Sequence, residues 1–485
     1  MTFTITATAN TPPVSAYAWY YNNSLNMNGW QLVSGNIAGA TGTNTATLTL
    51  PAAGLSQLLN YQFYCQVTEI DGVTCEQYSR AARYTYPTKA FYRAITAVAT
   101  PGEWTIPGSW QMSDDGVTNF VATCAYPTAA NSAAVIIPDG MKIIHSTPTN
   151  LDIDKLSVEE DGAFELGSTS ALKILNGQGG ADFIVKGIFT YKSSVSPNGL
   201  QFEDNTGTAN DASWQLDGIK ATIIKTNTAS VADLRDFYNA GISTISQNSS
   251  WIYRKETTGT PITVSAGMYY PNLYFESTGG AFSWNTSNTA LDGAANTMTV
   301  YGNFMVGTTP GSDPVSVYYN NINASPMQVG GNLEVNAGSL LTNLSYDNTV
   351  TAARGHGTGV EVKGNITVNG TLTLNANNKG LLKLSGIGDQ IISGTGAENM
   401  NIENLEIDKL PASKVINNRK VNVYNTFAPL NSSRWEFGSG DLVLKSNFTK
   451  TARVEVLTGA LITYPAAGRF VVERYINYAG NWNLL

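Results

Sequence analysis

The stretches QVGGNLEVNAGSLL (328–341) and EVKGNITVNGTLTL (361–374) decide the fold. Each contains a short strand of alternating apolar residues, a Gly-Asn pair and further short strands. A looser copy, TVYGNFMV, covers 299–306, so the Gly-Asn pairs recur 29 and 33 residues apart. A unit of this size has too little apolar surface to fold alone, but stacked units bury a continuous core. The repeats therefore predict a right-handed parallel β-helix.

The asparagines of these pairs are Asn303, Asn332 and Asn365. Asparagine is favoured in turns because it tolerates positive φ and because its side chain bonds to nearby backbone groups. In a stacked solenoid, equivalent residues of successive rungs lie one above another. We therefore predict a turn ladder in which these side chains bond to the backbone and do not form a ligand site.

The composition is typical of an all-β protein. Charged residues make up 13% of the 485 residues, while glycine occurs 46 times. Long amphipathic helices need charged residues on their solvent faces, so a mainly helical protein is excluded. A net charge of -8, with 28 Lys and Arg in no run, argues against binding to a nucleic-acid backbone. No stretch reaches the roughly 18 apolar residues that a membrane span requires.

The first 90 residues have a different pattern. Short alternating runs such as AYAWYY (16–21) and YQFYCQV (61–67) are separated by turn-rich segments, which predicts a β-sandwich. Trp19 falls where an immunoglobulin-like domain places its core tryptophan.

These patterns divide the chain into three parts. They are an immunoglobulin-like β-sandwich at 1–90, a linker at 91–103 and the β-helix at 104–485. The sequence ends within strand-like residues, FVVERYINYAGNWNLL (470–485), so we expect the β-helix to be truncated at its C-terminal end.

The sandwich resembles the immunoglobulin-like modules of large secreted proteins of Bacteroidetes. The residues that carry this resemblance are Cys65, Val67, Thr68, Asp71, Gly72 and Cys75. The early strand has no cysteine, so the usual disulfide between the two sheets cannot form. Cys65 and Cys75 either close a disulfide across one hairpin, if its turn sets them opposite each other, or remain two buried thiols.

The rest of the chain resembles Bacteroidetes surface proteins exported by the type IX secretion system. The shared features are a Trp-x5-Trp opening at Trp104 and Trp110, a strand followed by Pro138-Asp139-Gly140, strands around Gly-Asn pairs and a late VVERYI (471–476). The resemblance implies an extracellular or cell-surface protein that meets export machinery in its full-length form.

Two histidines and three cysteines limit metal and thiol chemistry. His145 and His356 lie far apart, and no H-E-x-x-H or Cys-x-x-Cys pattern accompanies them. Cys124 has no His or Asn arranged near it in sequence. We predict no catalytic residue, no metal site and no cofactor, and interpret each histidine as structural or exposed.

A group of acidic residues suggests calcium binding or glycoside hydrolysis. Its members are Asp152, Asp154, Glu159, Glu160 and Asp161. The intervening apolar residues, Leu151, Ile153, Leu156 and Val158, have the alternation of strands that face inward. This alternation favours a solvated outer face for the carboxylates.

One segment departs from the strand pattern. SVADLRDFYNAG (230–241) has Ser230 as an N-cap, apolar residues on one face and Gly241 as a stop, which predicts a short helix.

The leading hypothesis is a non-enzymatic structural or adhesive protein that contacts surface glycans or other surface proteins. A polysaccharide-active enzyme is the alternative, by analogy with other β-helices. A glycan-binding module is the third, with Tyr269-Tyr270, Tyr318-Tyr319 and Trp284 either stacking on sugar rings or packing at rung ends.

Overall fold

The structure, a computed structural model, describes most of the chain. The described residues are 2–4, 14–22, 29–50, 58, 61–70, 74–84, 89–177, 180–195, 199–203, 212–226, 243–256, 262–265, 269–278, 280, 282–287, 298–307, 313–319, 327–343, 359–375, 380–396, 400–457 and 459–475. Within these ranges the chain forms 47 β-strands and a 3-10 helix at Pro107–Ser109. The all-β prediction is therefore confirmed for this part of the chain.

The N-terminal module consists of antiparallel strands in two sheets. One sheet pairs Thr2–Thr4 with Thr47–Thr49; the other contains Gln31–Leu32, Val14–Asn22, Gln62–Ile70, Thr74–Tyr78 and Ala82–Arg83. Trp19 is buried, and its Nε1 donates a hydrogen bond of 2.9 Å to the Thr45 carbonyl. Trp19, Phe63 and Cys65 belong to a core of this module's own, separate from that of the following residues.

The strand register bears on the predicted disulfide. Cys75 pairs with Glu69, whereas the backbone carbonyl of Cys65 accepts a hydrogen bond from the Ser79 N–H. The register therefore does not set the two cysteines opposite each other, and Cys65 is a free, buried thiol. Burial raises the pKa of this thiol to about 11, so it stays protonated at neutral pH.

The described residues from 89 onward form a solenoid whose strands stack on three faces. Face B is the longest, with 14 parallel strands. They are Gly102–Glu103, Lys142–His145, Ala163–Leu166, Ile188–Tyr191, Thr222–Thr226, Ser250–Lys255, Asn272–Ser277, Phe304–Val306, Leu333–Val335, Ile366–Val368, Gln390–Ser393, Lys414–Asn417, Arg434–Phe437 and Leu461–Thr463.

Faces A and C begin as separate sheets. Face A contains Val121–Ala122, Trp110–Ser113, Ala90–Ala94, Ser132–Ile137, Leu156–Val158, Phe183–Val185, Trp214–Leu216 and Ser243–Ile245. Trp110–Ser113 pairs antiparallel with Val121–Ala122 and with Ala90–Ala94, and the other pairings on this face are parallel. Face C begins with Asn150–Ile153, Ala171–Ile174 and Leu200–Phe202.

A second, 15-stranded sheet follows in two arms. One arm contains Ile262–Ser265, Phe282–Ser287, Val315–Tyr318, Leu340–Thr342 and Thr371–Leu374; the other contains Tyr269–Tyr270, Thr299–Val300, Met327–Val329, Gly359–Val362 and Leu381–Leu384. Met400–Asp408 pairs with both arms, and its register shifts between Ile402 and Asn404. Val421–Leu430, Leu442–Leu444, Arg453–Val454 and Phe470–Val472 complete the sheet.

One hydrophobic cluster runs through the interior from Ala90 to Ala452. Alternation along the strands explains it. In Leu333–Val335 and Ile366–Val368, for example, the outer two residues are buried and the middle one is partly exposed. Because every strand inside a sheet is paired on both sides, successive rungs cover one another's apolar residues.

The predicted linker at 91–103 is wrong. Ala90–Ala94 pairs with Trp110–Ser113 and Ser132–Ile137, and Gly102–Glu103 pairs with Lys142–His145. Its apolar residues, such as the buried Tyr92, contribute to the solenoid core, so the segment forms part of the first rungs.

Several predictions lie outside the described residues. They concern the helix at 230–241, His356 and the side chain of Trp284. In the part of the chain that the structure describes, no helix has the length and apolar character to cross a membrane.

Candidate functional surface

The predicted asparagines lie in register on consecutive rungs, each directly before a strand of face B. The Oδ1 atom of Asn303 accepts a hydrogen bond of 2.9 Å from the Asn332 N–H. Asn332 accepts one of 2.8 Å from the Asn365 N–H in the same way. Below them, Asn272 accepts from the Asn303 N–H, and above them Asn365 accepts from the Ile391 N–H. We call Asn272, Asn303, Asn332 and Asn365 the asparagine ladder.

Three of the four members of the ladder use only the oxygen of the carboxamide among the described residues. Asn272 donates its Nδ2 to the Ser249 carbonyl at 2.7 Å, but among the described residues the Nδ2 groups of Asn303, Asn332 and Asn365 have no acceptor. These three residues are exposed. Neighbouring strands are about 4.8 Å apart, so the surface presents three N–H donor groups at intervals of one rung.

Two exposed tyrosines lie beside the start of this row. The rings of Tyr269 and Tyr301 stack with centroids 6.0 Å apart and an interplanar angle of 16°. Their exposed fractions are 53% and 44%. We call them the tyrosine pair. Tyr301 stands two residues before Asn303, so the tyrosine pair and the asparagine ladder occupy the same corner of the solenoid.

The other aromatic residues predicted for this role are placed differently. Tyr270 is buried, and its hydroxyl lies 2.9 Å from that of Tyr253 in the core. Tyr319 is buried too, and Tyr318 is half-buried. The two adjacent pairs, Tyr269-Tyr270 and Tyr318-Tyr319, therefore each contain one core residue, because adjacent residues of a strand face opposite sides.

The rung that follows Tyr301 carries no side chain at this corner. Gly330 is exposed, and a Cβ atom built on it would lie 2.3 Å from the Tyr301 carbonyl oxygen. Glycine is thus required here by the close approach of two backbones.

The acidic group at 152–161 faces outward as the alternation predicts. Leu151, Ile153, Leu156 and Val158 are all buried. Three of the carboxylates form ion pairs with lysines: Asp154 with Lys89, Glu159 with Lys186 at 2.9 Å and Asp161 with Lys220 at 2.6 Å. Among the described residues, no group of three or more His, Cys, Asp or Glu could hold a metal ion.

His145 is a core residue of the first rungs. Its side chain has no exposed surface, its ring packs edge-on against Trp104, and its Nε2 lies 3.2 Å from the Thr149 carbonyl. Burial lowers the pKa of His145, although the Thr149 carbonyl and the Glu103 carboxylate, 3.8 Å from Nδ1, oppose this shift. A pocket of about 340 Å³ borders the histidine.

A second pocket, of about 500 Å³, is lined by Lys89, Phe91, Ala133, Ala134, Asp154 and Lys155. Among the described residues that line it, the single carboxylate is Asp154, which is bonded to Lys89. Glycoside hydrolysis normally needs two carboxyl groups on either side of the scissile bond. The described lining of the pocket supplies one carboxyl group.

Two buried polar networks were not predicted from the sequence. Lys409 is buried, and its Nζ donates to Gln390 Oε1 at 2.8 Å and to the Ser385 carbonyl at 3.3 Å. Glu403, at the register shift, is buried and pairs with Lys450 at 2.5 Å. Each polar residue follows or interrupts a strand of apolar alternation, a position that sequence patterns assign to solvent-exposed turns.

Comparisons with known proteins identify no relative. No protein-family model, curated protein or solved structure matches this chain. Its function has to be argued from the arrangement of its own residues.

Proposed function

We propose that the chain is a non-enzymatic structural part of an extracellular or outer cell-surface protein, built as a rigid rod. The observation that carries this proposal is face B, whose 14 parallel strands join successive rungs without interruption. At about 4.8 Å per strand, they extend about 60 Å. A rod of this kind holds other surfaces away from its point of attachment.

The side-chain bonds between rungs support a mechanical role. The asparagine ladder ties five successive rungs together, from Asn272 to Ile391. Ion pairs such as Lys142 with Glu165 and Lys414 with Glu436 do the same elsewhere. Pulling such a rod apart along its axis requires breaking a sheet and its side-chain bonds together, which favours slow unfolding and resistance to proteolysis.

The proposal extends to the finer features of the fold. We assign the solenoid a right-handed winding, because parallel crossover connections are nearly always right-handed. We assign the N-terminal module to the immunoglobulin-like class, since Trp19 is buried on a strand that pairs antiparallel with Gln62–Ile70. Export by a type IX system, proposed from the resemblance of the sequence, is consistent with a rod that acts outside the cell.

Imaging and localisation test this function. Small-angle scattering and negative-stain electron microscopy of the full chain should reveal an elongated particle with one axis of at least about 60 Å. Immunogold labelling of producing cells should place the protein on the outer surface. A spherical particle in solution or labelling confined to the cell interior would contradict the proposal.

The enzyme alternative receives no specific support from the described surface. Incubation of the full chain with a panel of plant and bacterial polysaccharides, followed by a reducing-end assay and by absorbance of unsaturated products, distinguishes it from the rod. We expect no turnover.

A further inference from the structure

We propose that the tyrosine pair and the asparagine ladder form a binding site for a linear, uncharged polysaccharide of pyranose units, which lies along the axis of the solenoid. The site consists of Tyr269, Tyr301, Asn303, Asn332 and Asn365. The proposal goes beyond the rod function, because a rod is mechanically complete without a ligand.

Aromatic exposure is the first argument. The two rings are stacked on each other yet remain about half exposed, at 53% and 44%. Contact of an apolar ring surface with water is unfavourable compared with packing of that surface against another group. The C–H face of a pyranose ring matches the negative face of a tyrosine ring, while its hydroxyl groups remain at the rim, where they can form hydrogen bonds.

The spacing of donors is the second argument. The Oδ1 atoms of Asn303, Asn332 and Asn365 are fixed by backbone N–H groups, so the orientation of each carboxamide is set before any ligand arrives. Their Nδ2 groups then form a pre-organised row with a period of about 4.8 Å. This period is close to the length of one pyranose unit in an extended chain, so consecutive sugars can meet consecutive asparagines.

The third argument is the absence of a side chain at Gly330. Gly330 follows in register with Tyr301 on the next rung and has no side chain that could cover the exposed Tyr301 ring. The tyrosine pair then supports one end of the saccharide, and the asparagine row contacts the units that follow.

The charges around the site favour an uncharged ligand. Lys363 is the one basic residue among the described residues between 298 and 375, and Glu361 precedes it by two positions on the same rung. An acidic glycan is normally held by several Arg or Lys side chains. The polar contacts offered here are amide groups, which suit hydroxyl groups.

Calorimetric titration of the full chain with cellohexaose, xylohexaose, mannohexaose and chitohexaose tests the site, with the corresponding disaccharides as length controls. We expect at least one hexasaccharide to bind, and to bind more tightly than its disaccharide. Tyr301→Ala should weaken that binding about tenfold, because it removes the stacking surface. Tyr301→Phe keeps the ring and should bind within about twofold of the wild type.

Two further variants make the test specific. Tyr78→Ala removes a tyrosine of similar exposure, 59%, from the N-terminal module and should leave binding unchanged. Asn332→Asp keeps an oxygen acceptor for the Asn365 N–H but removes the Nδ2 donor; it should weaken binding about fivefold through loss of one hydrogen bond. The chain already uses aspartate in this way, since Asp389 Oδ1 accepts from the Lys414 N–H at 3.0 Å.

Two results would contradict the proposed site. If none of the four hexasaccharides binds, or if Tyr301→Ala binds the best of them as tightly as Tyr78→Ala does, the proposed site is wrong. Circular dichroism of each variant shows whether it remains folded, and if Tyr301→Ala does not, Asn332→Asp carries the test, with Tyr78→Ala as its control. These results leave the rod function untouched, since that depends on shape and location.

Discussion

Two stretches of the solenoid share one architecture but stabilise their outer surfaces by different interactions. The charged segment, residues 142–276, is crossed by ion pairs between rungs, such as Lys142 with Glu165 and Lys192 with Glu256. The amide segment, residues 298–375, has no ion pair among its described residues and is crossed by the asparagine ladder instead. The interiors differ as well: the charged segment is rich in Phe, Tyr and Trp, and the amide segment is mainly aliphatic.

The comparison shows that a β-solenoid can connect its rungs by charge pairs or by amide groups without changing its strand register. The choice has consequences outside the fold. In the charged segment the polar groups bond to one another in ion pairs, and the strength of these pairs depends on salt and pH. The ladder bonds are neutral and leave one donor group per rung facing solvent, so the amide segment has groups available for a ligand.

The largest expected effect tests whether the interiors of the two segments are packed equally tightly. Leu273 and Leu333 both lie on face B with no exposed surface, one in each segment. Replacing either by alanine should lower the free energy of unfolding by about 3 kcal/mol, since each variant leaves a cavity between rungs. Urea denaturation followed by circular dichroism measures both. A loss below about 1 kcal/mol in only one variant would show that the segment concerned is loosely packed.

The interior and the ladder were predictable from the sequence because both follow a period. Alternation identifies buried residues such as Val335 and Val368, and the Gly-Asn repeats identify residues that stack on successive rungs. The first rungs were not predictable in this way. Ala90–Ala94 was assigned to the N-terminal module and a linker, because a single strand next to a sandwich has no repeat to mark it as the start of the solenoid.

The tyrosine pair was only partly predictable. The sequence points to Tyr269-Tyr270, but it does not pair Tyr269 with Tyr301, which is 32 positions away and on another rung. The sequence around Lys409 and Glu403 gives no indication that these two side chains are buried. Their burial depends on where the two arms of the sheet converge. That point is set by the three-dimensional path of the chain and not by the local sequence.

The next largest effect concerns the charged segment alone. Glu165 accepts hydrogen bonds from Lys142 at 3.0 Å and lies 3.1 Å from Lys192. Glu165→Gln removes both ion pairs and should cost between about 1 and 2 kcal/mol at low salt. Screening should reduce this cost in about 1 M sodium chloride, where the Debye length falls to about 3 Å. A cost that is independent of salt would indicate that packing, and not charge, holds this residue.

The pH dependence of the same residue follows from its pKa. Burial alone would raise the pKa of Glu165, but the hydrogen bonds and charges of Lys142 and Lys192 outweigh it and lower the pKa. The stabilisation is therefore present above the pKa of the unfolded chain and is lost as the pH falls through the lowered folded value. Urea midpoints of the wild type and Glu165→Gln should converge in acid.

A smaller effect is expected in the amide segment. Asn332→Ala removes the acceptor of the Asn365 N–H and should cost about 1 kcal/mol. Asn332→Asp keeps an acceptor and should cost less than half as much. Because the wild-type bond is neutral, the alanine cost should be the same at low and high salt, in contrast to Glu165→Gln. A strong salt dependence for Asn332→Ala would remove the distinction between the two segments.

The smallest effect belongs to His145, which lies at the start of the charged segment but takes part in the core. Its pKa is lowered, mainly by burial, so below about pH 6.5 the unfolded chain binds a proton that the folded chain does not. The contribution of the neutral imidazole to the free energy of unfolding is fully present above that pH and decreases as the pH falls through it.

Between about pH 7.5 and 5.5 the free energy of unfolding of the wild type should decrease by at most about 1 kcal/mol more than that of His145→Gln, whose side chain takes up no proton in this range. Urea midpoints at the two pH values measure the difference. Equal losses in the two proteins would mean that the imidazole is protonated as easily in the core as in water, and that the first rungs open to solvent more readily than the packing of His145 against Trp104 implies.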